Sequence, residues 1–333
     1  MTVGPVLVTG GTGFIGGHVC QSFLDRGEEV VALSRSDDVS PSNGIRMARV
    51  SDLLDRNALR SALDGIQTVI HLAGRVHAKR EGRDDPESEC RRVNVDGTRA
   101  LLDEAVTAGV RRFIFISSVK AVANESDVAL DENTPPMPTD AYGASKLEAE
   151  RLVRVVSARE NLHAPILRLP VVYGPGMKSN MLRLFQAVSR GIPLPIAGIH
   201  NRRSFAYVDN VTEAIHSILS APGAAHETFF VSDGADFSTP ELTRKIATAL
   251  SRQSRMFAVP VPVLRALGGA GYLLSRISPF HFTLDSLSAL VGSLFVDTSK
   301  IQKMTGYKRA VSVDEGLAQT AIWLSARSIS RMQ

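Results

Sequence analysis

Three glycines spaced three residues apart, directly after a short apolar run, constrain this chain more than any other feature. Residues 6–8 (Val-Leu-Val) predict a short buried strand, and Gly10, Gly13 and Gly16 follow it. An amphipathic segment at 14–26 begins inside the glycine loop and predicts a helix. Such a strand–turn–helix unit directs backbone N–H groups and a helix N-terminus at a diphosphate. The sequence therefore predicts a dinucleotide site at this turn.

The composition is that of a globular protein with a sizeable core. The 333 residues are 44% hydrophobic and 22% charged, and the formal net charge is +4. The basic side chains are scattered and form no run or aromatic-interleaved patch, so no nucleic-acid partner is predicted.

The sequence also predicts the compartment. The first strand begins at residue 6, which leaves no room for a signal peptide. The most apolar tract, 261–274, contains Arg265 and is too short to span a bilayer, so no membrane insertion is predicted. Cys20 and Cys90 lack metal-ligand spacing and predict reduced, packed side chains and no metal site. We expect a cytoplasmic protein.

Predicted strands alternate with predicted helices through the first half of the chain. The strands after the first are expected at residues 29–33, 46–50, 68–74, 112–118 and 165–169. This rhythm predicts an α/β fold, a Rossmann doubly wound parallel sheet. The prediction places a nucleotide-binding domain at 1–176, to which 205–233 returns. A smaller C-terminal α/β unit at 177–333 is expected mainly to bind substrate.

The end of the second predicted strand bears on the choice of cofactor. Dinucleotide-binding folds often place an acid there to hold the adenosine ribose. This chain has Ser34 followed by Arg35, and a guanidinium favours a 2′-phosphate, so NADP(H) is the preferred cofactor. Asp37 and Asp38 leave NAD(H) open, and the alternative is that Arg35 is a solvated loop residue.

A tyrosine and a lysine four residues apart provide candidate catalytic groups. Tyr142 and Lys146 lie on one face of a predicted helix. A nearby ammonium is expected to lower the pKa of Tyr142, which makes the phenol a candidate acid or base for a carbinol/carbonyl pair. Ser118, at the end of the fifth strand, is a candidate hydrogen-bond donor to the same oxygen. Such a pair alone is usually a surface feature, but here it follows a glycine loop and paired serines.

Together these motifs resemble the extended short-chain dehydrogenase/reductase family, and more closely its nucleotide-sugar epimerase, dehydratase and 4-ketoreductase branch. The matching motifs are Gly-Gly-Thr-Gly-Phe-Ile-Gly at 10–16, His-Leu-Ala-Gly at 71–74, Asn94, Ser-Ser at 117–118, Tyr142 with Lys146, and Arg-Ser-Phe-Ala-Tyr-Val-Asp-Asn at 203–210. The resemblance covers nearly the whole chain and extends to the segments 296–300 and 314–317.

The resemblance implies a role for each matching residue. Tyr142 is the acid/base, Lys146 its partner and cofactor-ribose ligand, and Ser118 orients the carbonyl. Asn180 and Arg203 match positions near the substrate diphosphate. With the residues derived above, the cofactor-binding set is Gly10, Thr12, Gly13, Phe14, Ile15, Gly16, Arg35, Asp52, Leu53, Leu72, Ala73, Gly74, Val76, Asn94, Tyr142, Lys146 and Pro170. The family also implies a homodimer.

Two departures from the family pattern bear on the reaction. Lys120 stands two residues after Ser118, where dehydratases of this branch carry the carboxylate that eliminates water, so 4,6-dehydration is not expected. Lys120 is assigned to the substrate, whose hydroxyl or ketone it could hydrogen-bond; the alternative is that it points to solvent. Ser34 and Arg35 replace the ribose acid and argue against a tightly held NAD.

These features predict an NAD(P)-dependent enzyme acting at C4 of a nucleotide sugar. The preferred activity is reduction of a UDP-4-keto-6-deoxy-(N-acetyl)hexosamine for surface polysaccharide. The first alternative is a UDP-hexose or UDP-N-acetylhexosamine 4-epimerase. A reductase of a non-sugar ketone is a second, against which Arg203 argues. A non-catalytic cofactor-sensing protein is a third, but it would be expected to lack Tyr142 or Lys146. The base, the sugar and the oligomeric state stay open.

Overall fold

Short apolar runs build a parallel sheet at the centre of the protein. The computed structural model describes residues 3–35, 44–76, 85–264 and 290–329. The strands are β1 (Val6–Thr9), β2 (Val30–Ser34), β3 (Ile45–Arg49), β4 (Thr68–His71), β5 (Arg112–Ser118), β6 (Ile166–Leu169), β7 (Val171–Tyr173), β8 (Arg203–Tyr207), β9 (Thr228–Phe230) and β10 (Asp236–Phe237). The seven-stranded sheet has the order β3-β2-β1-β4-β5-β6-β9, and all its pairs are parallel. The predicted α/β fold is confirmed.

Helices cover both faces of this sheet, which is why its central strands are buried and mostly apolar. The helices are α1 (Phe14–Asp25), α2 (Arg56–Ala62), α3 (Pro86–Arg91), α4 (Gly97–Thr107), α5 (Ala141–Glu160), α6 (Ser179–Ser189), α7 (Val208–Leu219), α8 (Thr239–Ala249), α9 (Ser299–Thr305) and α10 (Val313–Ile329). Phe23 of α1 and Ile215 of α7 belong to the core on one face. Leu59 of α2, Leu101 of α4 and Val153 of α5 belong to the core on the other.

The strand order places a crevice beside β1. The chain runs outward from β1 through β2 to β3 and then returns to β4 on the other side of β1. Loops that leave the carboxyl ends of β1 and β4 therefore diverge, and open α/β sheets bind ligands at such a switch point. The glycine loop follows β1, and residues 72–76 follow β4.

A second core lies around a three-stranded sheet in the order β10-β8-β7. Phe185 of α6, Ile246 of α8 and Leu317 of α10 pack in this core with Tyr207 of β8. Between β8 and β10, α7 packs on the first core and β9 pairs with β6. The proposed domain boundary at residue 176 stays a prediction. Within the described ranges, no helix is both long and apolar enough to cross a membrane.

Two predicted boundaries were wrong for local reasons. The strand expected at 68–74 ends at His71, because the backbone N–H groups of residues 72–73 donate to Thr9 Oγ1 and not to a neighbouring strand. The segment Ser-Asp-Leu-Leu-Asp at 51–55 predicts the start of a helix, but α2 begins at Arg56, because Asp55 is its N-cap and accepts from the N–H of Ala58 at 3.0 Å.

Candidate active site

The glycine loop leaves room at the N-terminus of α1 that other residues would fill. Gly10 has φ of +69°, and a Cβ there would lie 3.1 Å from the backbone nitrogen of Ala73. A Cβ on Gly16 would overlap the carbonyl oxygen of Gly10. Gly13 is the N-cap of α1 and brings no side chain to cover the first-turn N–H groups. The loop therefore fits the diphosphate of a dinucleotide.

A buried chain of hydrogen bonds aligns this loop with the loop after β4. Thr9 Oγ1 accepts from the N–H groups of residues 72–73 at 3.1 and 3.0 Å, so its own proton goes to His71 Nδ1 at 2.6 Å. His71 Nε2–H then donates to Thr98 Oγ1 at 2.9 Å, and Thr98 donates to the carbonyl of Asn94 at 2.6 Å. Burial lowers the pKa of His71 to about 3, so the imidazole is neutral.

Asn94 joins the loop after β4 to the helix of the candidate catalytic residues. It lies in a π-helical turn, Arg92–Asp96, of the kind that is frequent at functional sites. Its Oδ1 accepts from Arg75 N at 2.7 Å, and its Nδ2 donates to Arg75 O at 3.0 Å and to Ser145 Oγ of α5 at 2.9 Å. Both ends of the amide are therefore used to position backbone and helix.

Ser118 and Tyr142 meet at the carboxyl edge of the sheet. Ser118 ends β5 and Tyr142 lies in the first turn of α5. Burial raises the pKa of Tyr142 to about 12; a hydrogen bond with Ser118 opposes this, and the charge of Asp140 adds to it. The predicted lowering of the pKa was therefore wrong for the protein alone, because the cost of burying a phenolate dominates.

Lys146 is buried one turn further along α5. Its side chain is only 3% exposed, and Nζ lies 4.4 Å from the centroid of the Phe115 ring. A Cβ on Gly74 would be 3.7 Å from this Nζ, so the ammonium adjoins the loop after β4. Burial lowers the pKa of Lys146 to about 8, and the carboxylate of Glu150 opposes this.

An ion-pair network that the sequence analysis missed anchors α5 to two strands. Glu150, which is fully buried, accepts from Ser117 Oγ at 2.6 Å and from Arg168 Nε and Nη2 at 2.9 and 2.7 Å. Arg154 Nη2 donates to it at 2.9 Å. Burial alone would raise the pKa of Glu150, but the Arg168 hydrogen bonds hold it below its ordinary value. The available signal was Arg168, a charge inside an otherwise apolar strand.

Lys120 forms an ion pair beside the Ser118–Tyr142 pair. Its Nζ donates to Asp140 Oδ2 at 2.7 Å, and Asp140 Oδ1 accepts from Gly143 N at 2.7 Å as the N-cap of α5. The Lys120 side chain is 42% exposed, so it is both partnered and open to solvent. Its assignment to the substrate stays a prediction.

The two residues assigned to the diphosphate differ in exposure. Asn180 is exposed on α6, whereas Arg203 is buried and donates from Nη1 to the carbonyl of Gly292 at 2.9 Å. Burial lowers the pKa of Arg203, and the charge of Glu125 opposes this. Gly292 and Glu125 both line a cavity of about 620 Å³. Arg203 therefore lies beside a cavity large enough for part of a nucleotide.

The other cofactor residues lie along the same edge of the sheet. Arg35 is exposed directly after β2, and Asp52 pairs with Arg92 and accepts from the N–H of Leu54. That backbone hydrogen bond, followed by the charge of Arg92, lowers the pKa of Asp52. Pro170 is buried between β6 and β7, and Val76 is exposed. The adenine-side residues Asp37 and Asp38 lie outside the described residues. In the part of the chain that the structure describes, no three His, Cys, Asp or Glu side chains could hold a metal ion.

The chain is similar to known proteins over nearly its whole length. The chain is 33% identical to a UDP-glucose 4-epimerase of Vibrio cholerae over 95% of its length and 94% of that protein. It is 28% identical to the N-acetyl-alpha-D-glucosaminyl-diphospho-ditrans,octacis-undecaprenol 4-epimerase of Escherichia coli O157:H7, over 95% and 93% of the two chains. Among solved structures, MoeE5 in complex with UDP-glucose and NAD superposes with a TM-score of 0.77 at 29% identity, over 98% and 100% of the chains.

The family model that matches covers the strands and helices that build the site. It is that of the NAD dependent epimerase/dehydratase family, and it matches residues 6–231, from β1 to the residue that follows β9. This range contains the glycine loop, Asn94, Ser118, Tyr142 and Lys146. With the relative from Vibrio cholerae at 33% identity, the match shows that the chain belongs to the NAD dependent epimerase/dehydratase family of enzymes.

Proposed function

We propose that this enzyme reduces the 4-keto group of a UDP-linked sugar, most specifically a UDP-4-keto-6-deoxy-(N-acetyl)hexosamine. The observation that carries the proposal is the hydrogen-bonded pair of Tyr142 and Ser118 beside the dinucleotide loop. With a pKa of about 12, the phenol holds its proton at neutral pH and is ready to act as a general acid. A ketone oxygen that becomes an alcohol needs such a proton.

The protein's own residues divide the remaining tasks. The glycine loop, Asn94 and Lys146 would hold a nicotinamide dinucleotide, which supplies the hydride chemistry when bound. Ser118 donates a hydrogen bond to the carbonyl oxygen, and Tyr142 delivers the proton to that oxygen. The buried Lys146 ammonium favours negative charge nearby and so assists proton loss from the phenol.

The substrate class is inferred from Arg203 and its surroundings. The Arg203 guanidinium donates to the carbonyl of Gly292, which lines the 620 Å³ cavity, and a guanidinium suits the oxygens of a diphosphate. The names of the Vibrio cholerae relative and of the MoeE5 complex both specify UDP-glucose, which supports a UDP-linked substrate.

Lys120 supports reduction over dehydration, because it replaces the carboxylate needed for elimination. Held by Asp140, its ammonium can fix one orientation of the sugar for a single hydride delivery. A 4-epimerase must instead rotate the keto-sugar and retain its cofactor. That second candidate is favoured by the 33% identity to UDP-glucose 4-epimerase.

One experiment separates the two activities. Purified protein is given a UDP-4-keto-6-deoxy sugar and NADPH, while cofactor absorbance and the product NMR spectrum are followed. In parallel, UDP-glucose and UDP-N-acetylglucosamine are offered without added reductant. We expect NADPH consumption stoichiometric with the alcohol product. Interconversion of gluco and galacto sugars without NADPH oxidation would establish the epimerase instead.

A preference for NADP(H) is proposed from Arg35. Arg35→Ala is expected to weaken NADPH binding about tenfold, because a charged hydrogen bond to the 2′-phosphate is lost, and to leave NADH binding unchanged. The control is Arg46→Ala, which removes an exposed arginine at the other end of the neighbouring strand β3. Titrations in which the intact protein binds NADH as tightly as NADPH would refute the preference.

A further inference from the structure

One carboxylate joins three segments at the start of α5. Asp140 Oδ1 accepts from Gly143 N, while Oδ2 accepts from Lys120 Nζ at 2.7 Å and from Asn124 Nδ2 at 2.6 Å. Asn124 Oδ1 in turn accepts from Thr139 N at 3.0 Å. Asp140 therefore ties the loop after β5 to the helix that carries Tyr142.

The backbone at Lys120, after β5, is also in close contact with the backbone at Gly143 in the first turn of α5. A Cβ on Gly143 would overlap the carbonyl oxygen of Lys120. The N–H of Lys120 donates to Ser118 Oγ at 3.2 Å. Lys120 is thus fixed at its backbone by Ser118 and Gly143 and at its ammonium by Asp140.

We propose that Asp140 is a positioning residue for the reaction proposed above, on which this inference rests: it holds the Lys120 ammonium beside Ser118 and Tyr142, and the two opposite charges together set the proton affinity of the Tyr142 phenol. The pair contributes little to folding, because the Lys120 and Asp140 side chains are 42% and 35% exposed and such ion pairs are worth about 0–1 kcal/mol.

The charges around Tyr142 determine in which direction each substitution should shift the pKa of its phenol. Asp140 at the start of α5 and the Cys90 thiol of α3 disfavour the phenolate, and the Ser118 hydroxyl of β5 favours it. Lys146 lies one turn along α5. Removing the charge of Asp140 leaves the positive charge of Lys120 without its carboxylate partner. This positive charge favours the phenolate, so the pKa of Tyr142 should fall. Removing Lys120 leaves the negative charge of Asp140 without its ammonium partner. This negative charge disfavours the phenolate, so the pKa of Tyr142 should rise. If Asp140 and Lys120 only stabilised the fold, the two substitutions would not shift the pKa of Tyr142 in opposite directions.

The test measures the phenolate directly and needs no substrate. The chain has five tyrosines, so tyrosine labelled with ¹³C at Cζ gives few resonances, and Tyr142→Phe identifies the one from Tyr142. Its phenolate fraction is read at one alkaline pH at which circular dichroism shows an intact fold. We expect this fraction to rise in Asp140→Asn, with a pKa about half a unit lower, and to fall in Lys120→Met.

Asp140→Asn removes the charge but keeps a good helix cap, since Asn and Asp are equivalent N-caps. The control is Glu148→Gln, which removes a 38% exposed carboxylate of the same helix that pairs with Arg91. The proposal would be overturned if Asp140→Asn and Lys120→Met shifted the phenolate fraction of Tyr142 in the same direction. It would also be overturned if their shifts were no larger than that of Glu148→Gln.

Kinetics provide a second readout. A general acid is lost as pH rises through its pKa, so the alkaline limb of kcat should move to lower pH in Asp140→Asn and to higher pH in Lys120→Met. If the two variants show the opposed phenolate shifts but the wild-type protein turns over no nucleotide sugar, the proposed function is refuted and the positioning role stands.

Discussion

Tyr142→Phe is expected to lower turnover by about 100- to 10,000-fold while cofactor affinity stays nearly unchanged. The substitution deletes the hydroxyl that pairs with Ser118 and that is proposed to carry the proton, and it keeps the ring at the start of α5. The measurement is kcat with the nucleotide sugar that proves active, together with the Kd of the cofactor from direct titration.

Two further variants, one inside the site and one outside it, are compared with Tyr142→Phe. Lys146→Ala should impair both turnover and cofactor binding, because Lys146 lies one helical turn from Tyr142 and its buried ammonium adjoins the loop at Gly74. Tyr307→Phe removes a buried hydroxyl that donates to the carbonyl of Asn210, away from the site, and should preserve turnover. Retention of most activity in Tyr142→Phe would remove the phenol from the mechanism.

Glu150→Gln is expected to destabilise the fold by about 3–5 kcal/mol, because it leaves the guanidinium of Arg168 buried without a compensating carboxylate. Arg168 is 2% exposed, so water cannot replace the lost partner. The measurement is the free energy of unfolding in urea. Glu148→Gln, two residues earlier in an exposed pair with Arg91, should cost only about 0–1 kcal/mol.

The pH dependence of this difference has a defined sign. The pKa of Glu150 is depressed in the folded state, so its contribution is present above the unfolded value near 4.5 and is lost as pH falls through the folded value. The gap between wild type and Glu150→Gln should therefore narrow in acid. A gap that is small at neutral pH, or constant with pH, would contradict a stabilising ion pair.

Features that depend on a local sequence pattern were predictable from the sequence. The strand Arg112–Ser118 was predicted with its observed limits, because an apolar run bounded by arginines and serines defines it. The glycine loop was predicted as a dinucleotide turn, because only glycine permits the approach of Gly16 to Gly10.

The parts that depend on distant contacts were not predictable. Thr9 and His71 are 62 positions apart, and Ser117 and Glu150 are 33 apart, so no spacing rule reveals either bond. The direction of the Tyr142 pKa was wrong for a related reason. The position of Lys146 can be read from spacing, whereas the burial of the phenol exists only in the folded chain.

The order of the central sheet separates two properties that an engineer would wish to change independently. Arg35 follows β2, on one side of β1, whereas Asn94, Ser118 and Tyr142 follow or adjoin β4 and β5 on the other side. If Arg35 selects the cofactor as proposed, substitutions at the end of β2 should exchange one dinucleotide for another without redesign of the residues proposed for proton transfer. The same separation would let natural selection change the cofactor preference while the proposed reacting groups stay unchanged.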